Sequence, residues 1–249
     1  MLGSGAALAS TVRTDHVTAQ IVAEPGTLRP GKTLWVMLHL KIKDGWHTYW
    51  RNPGDSGQPP DIAWTLPDGV TAGEIHWPYP DPLPYGPLLN YGYSHDAYHL
   101  VPIALSESWP EGKPVALNAK ANWLACADIC VPEGGSFALT LPTGDAPKQT
   151  NAEIATLFRE ARERLPVDAG WRATLDAADD KVVLTVADDE LAKARIQDAT
   201  FFPFEWGLIE PSAKQELATA GNGLSLTMTP GQTPDTEKLD GVLVLTDTA

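Results

Sequence analysis

Apolar and polar residues alternate through "TLWVMLHLKIK" (33–43), which puts Leu34, Val36, Leu38, Leu40 and Ile42 on one face and Lys41 and Lys43 on the other. A period of two predicts a β-strand, because successive side chains leave a pleated strand on opposite sides. "HVTAQIVAE" (16–24) alternates in the same way, and further strands are predicted at 61–65, 71–77, 98–105, 115–124 and 130–141. Gly/Pro turns separate these segments and no helical repeat intervenes. That pattern favours an antiparallel sandwich over alternating strands and helices.

The period changes once. "LPTGDAPKQT" (141–150) reads as a linker, and "NAEIATLFREARERL" (151–165) then places Ile154, Leu157, Phe158, Ala161 and Leu165 at helical spacing. Asn151 suits the N-cap and Pro166 follows the end. Beyond it, hairpins are predicted around Asp179-Asp180 and at Asn222-Gly223, and "GVLVLT" supplies a last strand. The reading is a mostly β chain of two antiparallel sandwich domains, at 12–145 and 150–249, with one helix near the start of the second. One segment resists assignment: "HWPYPDPLPYGPLLNYGYSHDAY" (76–98) carries prolines at 78, 80, 82, 84 and 87. It is expected to be an irregular loop, either a surface crossover or a carrier of aromatics over a reactive site.

Composition bounds the function. The 249 residues include nine Trp and are 43% hydrophobic, enough for a buried core. The net charge of −14 speaks against nucleic acid and anionic lipid as partners, since both reward Lys and Arg. No run approaches the ~18 apolar residues of a membrane span. "MLGSGAALAS" ends in an Ala7-Leu8-Ala9 site like that of a trimmed secretory signal, and equally suits a cloning scar. A secreted origin would allow a disulfide to persist.

Both cysteines lie in "NWLACADICVPEGG" (122–135), at Cys126 and Cys130. In one straight strand they would stand about 13 Å apart at roughly 3.3 Å per residue, and a disulfide needs Cα atoms within about 7 Å. If they bond, the chain turns between them, and the flanking alternation favours a hairpin with the pair at its tip. A bridge closing about five residues constrains the unfolded chain by only about 2 kcal/mol, a weak staple. A redox-active pair, a local structural disulfide and a soft two-thiolate ligand set for Cu(I) all stay open.

Other constellations lead nowhere. "GDSGQP" (54–59) looks like a serine-protease nucleophile segment, but nothing in the sequence supplies the base that Ser56 would need; Asn52-Pro53-Gly54-Asp55 reads as a turn. The six histidines (16, 39, 47, 76, 95, 99) are scattered, so no metal site is expected. A thioredoxin fold would want C-x-x-C opening a helix.

Four segments together, "KDGWHTYWRNPGDSG" (43–57), "NYGYSHDAYHL" (90–100), "NWLACADICVPE" (122–133) and "FFPFEWGLIEPSAKQ" (201–215), resemble the periplasmic N-terminal (alpha) domain of DsbD-like thiol:disulfide interchange proteins. The likeness runs from about residue 15 to 215 and is strongest to the branch called suppressor of copper sensitivity protein ScsB. It implies an immunoglobulin-like fold, a periplasmic domain of an inner-membrane protein, protein-disulfide reductase activity and no cofactor. Electrons would come from a thioredoxin-like domain of the same full-length protein and pass to oxidised periplasmic proteins of thioredoxin fold. Contact with the membrane would be made only through a C-terminal part beyond Ala249.

By position, Cys126 and Cys130 match the redox pair, with Cys130 forming the mixed disulfide. His47 and Tyr49 match an aromatic stretch near the pair, and Tyr91-Gly92 matches the loop that caps it. The chain departs from the family in its closer cysteines, and in Asn90 where relatives carry Phe, which leaves shielding to Leu89 or Tyr91. Asp128 and Glu133 flank the pair and Lys120 is the nearest cation in sequence. The carboxylates should raise the thiol pKa, which suggests a slow, selective carrier. The alternatives are a copper-binding module and a structural sandwich with a local disulfide. "FFPFEWGLIEP" reads as core packing or as a docking face.

Overall fold

The computed structural model describes residues 9–144, 151–178, 180–191, 193–233 and 240–248. The Ala7-Leu8-Ala9 site, most of the 141–150 linker and Asp179 therefore lie outside the described residues, in whole or in part. In chain order the first strands are β1 (Ala9–Arg13), β2 (Val17–Ala23), β3 (Thr33–Ile42), β4 (Thr48–Gly54), β5 (Asp61–Thr65), β6 (Val70–Ala72), β7 (Asp81–Tyr85), β8 (Leu88–Tyr93), β9 (Asp96–Leu105), β10 (Val115–Cys126) and β11 (Cys130–Leu141). Helix α1 (Ala152–Glu163) precedes β12 (Arg172–Ala178), β13 (Lys181–Ala187), β14 (Ile196–Pro203), β15 (Glu216–Ala220), β16 (Gly223–Met228) and β17 (Gly241–Asp247). The chain is mostly β, with antiparallel sheets and one helix, an immunoglobulin-like architecture.

Residues group into two compact units: Met1–Thr48, Pro59–Pro78 and Tyr93–Leu165 in one, Tyr49–Gln58, Tyr79–Gly92 and Pro166–Ala249 in the other. The expected boundaries at 12–145 and 150–249 were linear cuts; the grouping is interleaved, and α1 goes with the first unit.

In the first unit a five-stranded sheet runs β1-β2-β3-β9-β6 and a three-stranded sheet runs β11-β10-β5. The predicted face of β3 is buried throughout, and Lys41 is exposed on the other side. That other side is not all solvent, because Met37 and His39 are buried there too. His39 is held there by Asp96 Oδ1, 2.6 Å from its Nε2, and by the Tyr98 ring stacked on it at 5.1 Å. Asn151 caps the helix by accepting from the N–H groups of Glu153 and Ile154, Ile154, Phe158 and Ala161 are buried, and Tyr98, opposite His39 in the ladder, donates its hydroxyl to Glu160 at 3.2 Å. A strand covered on both faces buries residues in both rows, here Met37 and His39 as well as the inner row.

The second unit holds the four-stranded sheet β12-β13-β16-β15 and the pair β14-β17. Val182, Leu184, Val186, Phe201, Leu224, Leu226 and Met228 form its core. Phe201 and Phe202 are both buried, while Trp206 in the same segment is 51% exposed. The β15–β16 turn falls one residue earlier than expected: Ala220 opposes Gly223, so the loop is Gly221-Asn222. Gly221 takes φ 59°, at the first loop position, where a two-residue hairpin of the II′ kind places its glycine.

The Pro-rich segment is a correction. It is not an irregular loop: Asp81–Tyr85 is strand β7, paired with β8 at the edge of the sheet β4-β8-β7. Pro82 and Pro84 are two residues apart, so both missing N–H groups fall on one side. Strand N–H groups alternate sides, and an edge strand bonds on one side only. The predicted 71–77 strand shortens to β6, with His76 forming an isolated bridge to Leu100. Asn52-Pro53-Gly54 ends strand β4, and only Asp55 turns.

Candidate functional site

Strands β10 and β11 pair without a break from Val115↔Leu141 to Cys126↔Cys130. Their alternation persists along the length of β10, where Val115, Leu117, Ala119, Ala121, Trp123 and Ala125 are buried. Ala127, Asp128 and Ile129 make the whole tip, closed by a hydrogen bond from the Ala127 N–H to the Ile129 carbonyl at 2.9 Å. Directly opposed, the cysteines have Cα atoms 4.1 Å apart and are joined by a disulfide.

The two halves of that disulfide differ. Cys126 is 1% exposed, whereas Cys130 is an exposed residue. The ladder explains the asymmetry. β10 is the central strand of its sheet and β11 an edge. Beyond the end of β5 the free side of Cys126 is taken by His47, whose N–H donates to the Cys126 carbonyl and whose carbonyl accepts from the Cys126 N–H, both at 2.9 Å. The expected neighbour His47 is therefore at the pair, held there by its backbone.

Burial lowers the His47 pKa below its ordinary value, which leaves the imidazole neutral at pH 7. Lys120 lies six residues back along the strand, about 20 Å at ~3.3 Å per residue, beyond the Debye length at physiological salt. Asp128 is exposed at the tip.

Glu133, the second carboxylate near the pair in sequence, is turned away from the sulfurs. It is opposite Trp123, and the pleat sends it to the inner face, away from the face that Cys126 and Cys130 share. Its side chain is 6% exposed. Oε1 accepts from the His16 N–H at 3.2 Å and pairs with His16 Nδ1 at 2.7 Å; Oε2 is bonded to the Thr14 hydroxyl and to Trp123 Nε1 at 3.3 Å. The His16 ring stacks on Trp46 at 3.6 Å. This network ties β11 to the β1–β2 turn, and no sequence signal exposes that tie because Thr14 and His16 are more than a hundred residues from Glu133. Glu133→Gln, which turns one acceptor oxygen into a donor, should lower the stability of the oxidised protein by about 1–2 kcal/mol in urea unfolding.

The remaining expected site residues belong to the second unit. Tyr49 is 1% exposed, and its ring lies so close to Gly57 that a Cβ there would stand 2.1 Å from it. Tyr49's pKa is raised by burial and by the neighbouring Tyr85. Leu89, Asn90 and Tyr91 lie in β8. Asn90 Oδ1 accepts from both the Ser56 N–H and the Ser56 hydroxyl at 3.0 Å, so the "GDSG" serine is a structural donor. Asp55 accepts from the Leu89 N–H at 2.7 Å. The shielding role of Leu89, Asn90 and Tyr91 is carried by the resemblance alone. No group of three or more His, Cys, Asp or Glu that could hold a metal occurs among the described residues.

Residues 16–142, which include β10, β11 and both cysteines, match the family model described as thiol:disulfide interchange protein DsbD, N-terminal. The chain belongs to the DsbD N-terminal family. Among solved structures, the N-terminal periplasmic domain of ScsB from Proteus mirabilis is similar over 96% of this chain and 92% of that one, with TM-score 0.65 and 20% identity. The likeness to ScsB is one of fold. The yeast GGA1 GAE domain aligns over 53% of this chain and 97% of that one at TM-score 0.30 and 15% identity, too low to inform the reading. No curated protein matches the sequence significantly. Among the described residues no helix is long and apolar enough to cross a membrane. Within the DsbD N-terminal family, a cysteine pair at a hairpin tip is the chemistry that this chain offers.

Proposed function

We propose that this chain is a periplasmic thiol–disulfide exchange module of an inner-membrane protein. It takes electrons from a thioredoxin-like domain of the same protein, fed by a membrane-embedded reductase, and gives them to oxidised partners of thioredoxin fold. The observation that carries the reading is the asymmetric disulfide, buried at Cys126 and exposed at Cys130.

A donor thiolate attacks Cys130 Sγ. The Cys126–Cys130 bond breaks and Cys126 leaves as a thiolate, which takes up a proton. The donor's second thiolate then attacks its own sulfur in the mixed disulfide, releasing Cys130, which is protonated in turn. Two electrons and two protons have arrived. On the acceptor side the Cys130 thiolate opens the partner's disulfide, and Cys126 closes the ring and frees the reduced partner. His47 supports the site by holding Cys126 through its backbone. Exchange gains its rate within a docked complex, where the partner's cysteine is held against Cys130.

Reduced Cys126→Ser in a periplasmic extract should accumulate a thiol-sensitive mixed disulfide through Cys130 to a thioredoxin-fold protein. Capture by neither variant, or by Cys130→Ser instead, would contradict the assignment.

A further inference from the structure

Among the described residues five large apolar side chains are exposed: Tyr85, Leu88, Ile129, Val167 and Trp206. Ile129 is the one next to a cysteine, immediately before Cys130, and it is 66% exposed. A solvent-facing tip of three residues ordinarily carries Gly, Asn, Asp or Ser, which suit the turn and keep water bonded. Asp128 fits that rule and Ile129 breaks it. The Ile129 carbonyl is turned inward to the Ala127 N–H, so its backbone serves the turn while its side chain remains in water.

Exchange at Cys130 constrains what comes to this position. A mixed disulfide requires the incoming cysteine's Cα within about 7 Å of that of Cys130, and the Cα of Ile129 is about 3.8 Å from the same atom. Because Cys126 is 1% exposed, the approach is from the Cys130 side, over the tip. Any protein that exchanges here brings the backbone around its reactive cysteine close to Ile129.

We infer that Ile129 is the docking contact of the module: it seats on the apolar rim beside the reactive cysteine of a thioredoxin-fold partner and selects such proteins over small thiols. The inference rests on the exchange reading above. A single apolar anchor at the centre of a small, transient contact, ringed by polar groups, is the arrangement that concentrates binding energy in one side chain.

The test compares two reductants of the oxidised protein, thioredoxin and dithiothreitol, on the wild type, Ile129→Ala and Ile129→Asp, by acid quench and thiol alkylation. Thioredoxin should reduce Ile129→Ala about tenfold more slowly than the wild type, the scale of a lost aliphatic contact, and Ile129→Asp more slowly still. Dithiothreitol, too small to reach the rim, should reduce all three within about twofold of each other. If thioredoxin reduces the variants as fast as the wild type, or if both reductants slow equally, Ile129 has no docking role. If dithiothreitol reduces the wild type and thioredoxin does not, the thioredoxin-fold partner reading falls and takes this inference with it.

Discussion

In Cys130→Ser, thiol–disulfide exchange drops to the rate of the buffer alone. The sulfur left in that variant belongs to Cys126, 1% exposed and bonded through its backbone to His47 on the side away from β11. A buried thiol is a poor nucleophile because apolar surroundings disfavour the thiolate. The complementary measurement is stability. Reducing the wild type opens a ring of only a few residues, since the bonded cysteines are four apart, and the loop-entropy account gives about 2 kcal/mol for such closure. Urea unfolding of oxidised and reduced protein should therefore differ modestly, and the Cys126→Ser/Cys130→Ser double variant should remain folded while losing all exchange. A double variant that keeps full function and loses much of its stability would return the pair to a structural role.

Acid should weaken the fold through His99. This residue is 0% exposed, its Nδ1 lies 3.2 Å from the Leu38 carbonyl, and the Trp77 and Tyr93 rings meet it edge-on at 5.0 and 5.9 Å. Burial lowers its pKa from 6.5 to about 4, with His39 adding to the shift. In the unfolded chain the imidazole takes a proton below about 6.5, whereas the folded chain excludes it until about 4. The unfolded state thus binds more protons across that window. Stability is fully present above about 6.5 and is lost as pH falls toward 4, by about 3 kcal/mol at 1.36 kcal/mol per unit. Asp96, whose pKa is lowered chiefly by its hydrogen bond to His39, loses its contribution below the ordinary Asp value, outside the His99 window. His99→Phe, suited to an aromatic pocket, should make the dependence between pH 4 and 6.5 shallower in urea titrations, leaving the part contributed by His47, whose pKa burial also lowers. Equal slopes in the two proteins would remove His99 as the cause.

The strands that define the site were legible because period-two alternation survives wherever one face is solvent. The predicted spans 61–65 and 130–141 coincide with β5 and β11. The Asn151 cap was legible for a local reason too, since its partners are two and three residues on. Pro82 and Pro84 misled because a proline's cost depends on which side of the strand its nitrogen faces. That depends on an edge position set by β8, which no local pattern reveals. Glu133 misled for the same kind of reason: closeness in sequence to Cys130 suggested an electrostatic partner, and the pleat placed it on the opposite face.

By itself, the order of residues determined that the cysteines sit at the tip of a long antiparallel hairpin, because alternation on both arms and three intervening residues leave few other geometries once they bond. Tertiary structure alone decided which cysteine is sheltered. Burial of Cys126 comes from its central strand and from His47, seventy-nine positions away in the chain, and backbone pairing over such a distance leaves no trace in either segment's own pattern. The same holds for Glu133, whose carboxylate meets Thr14 and His16 only once β11 lies beside the β1–β2 turn.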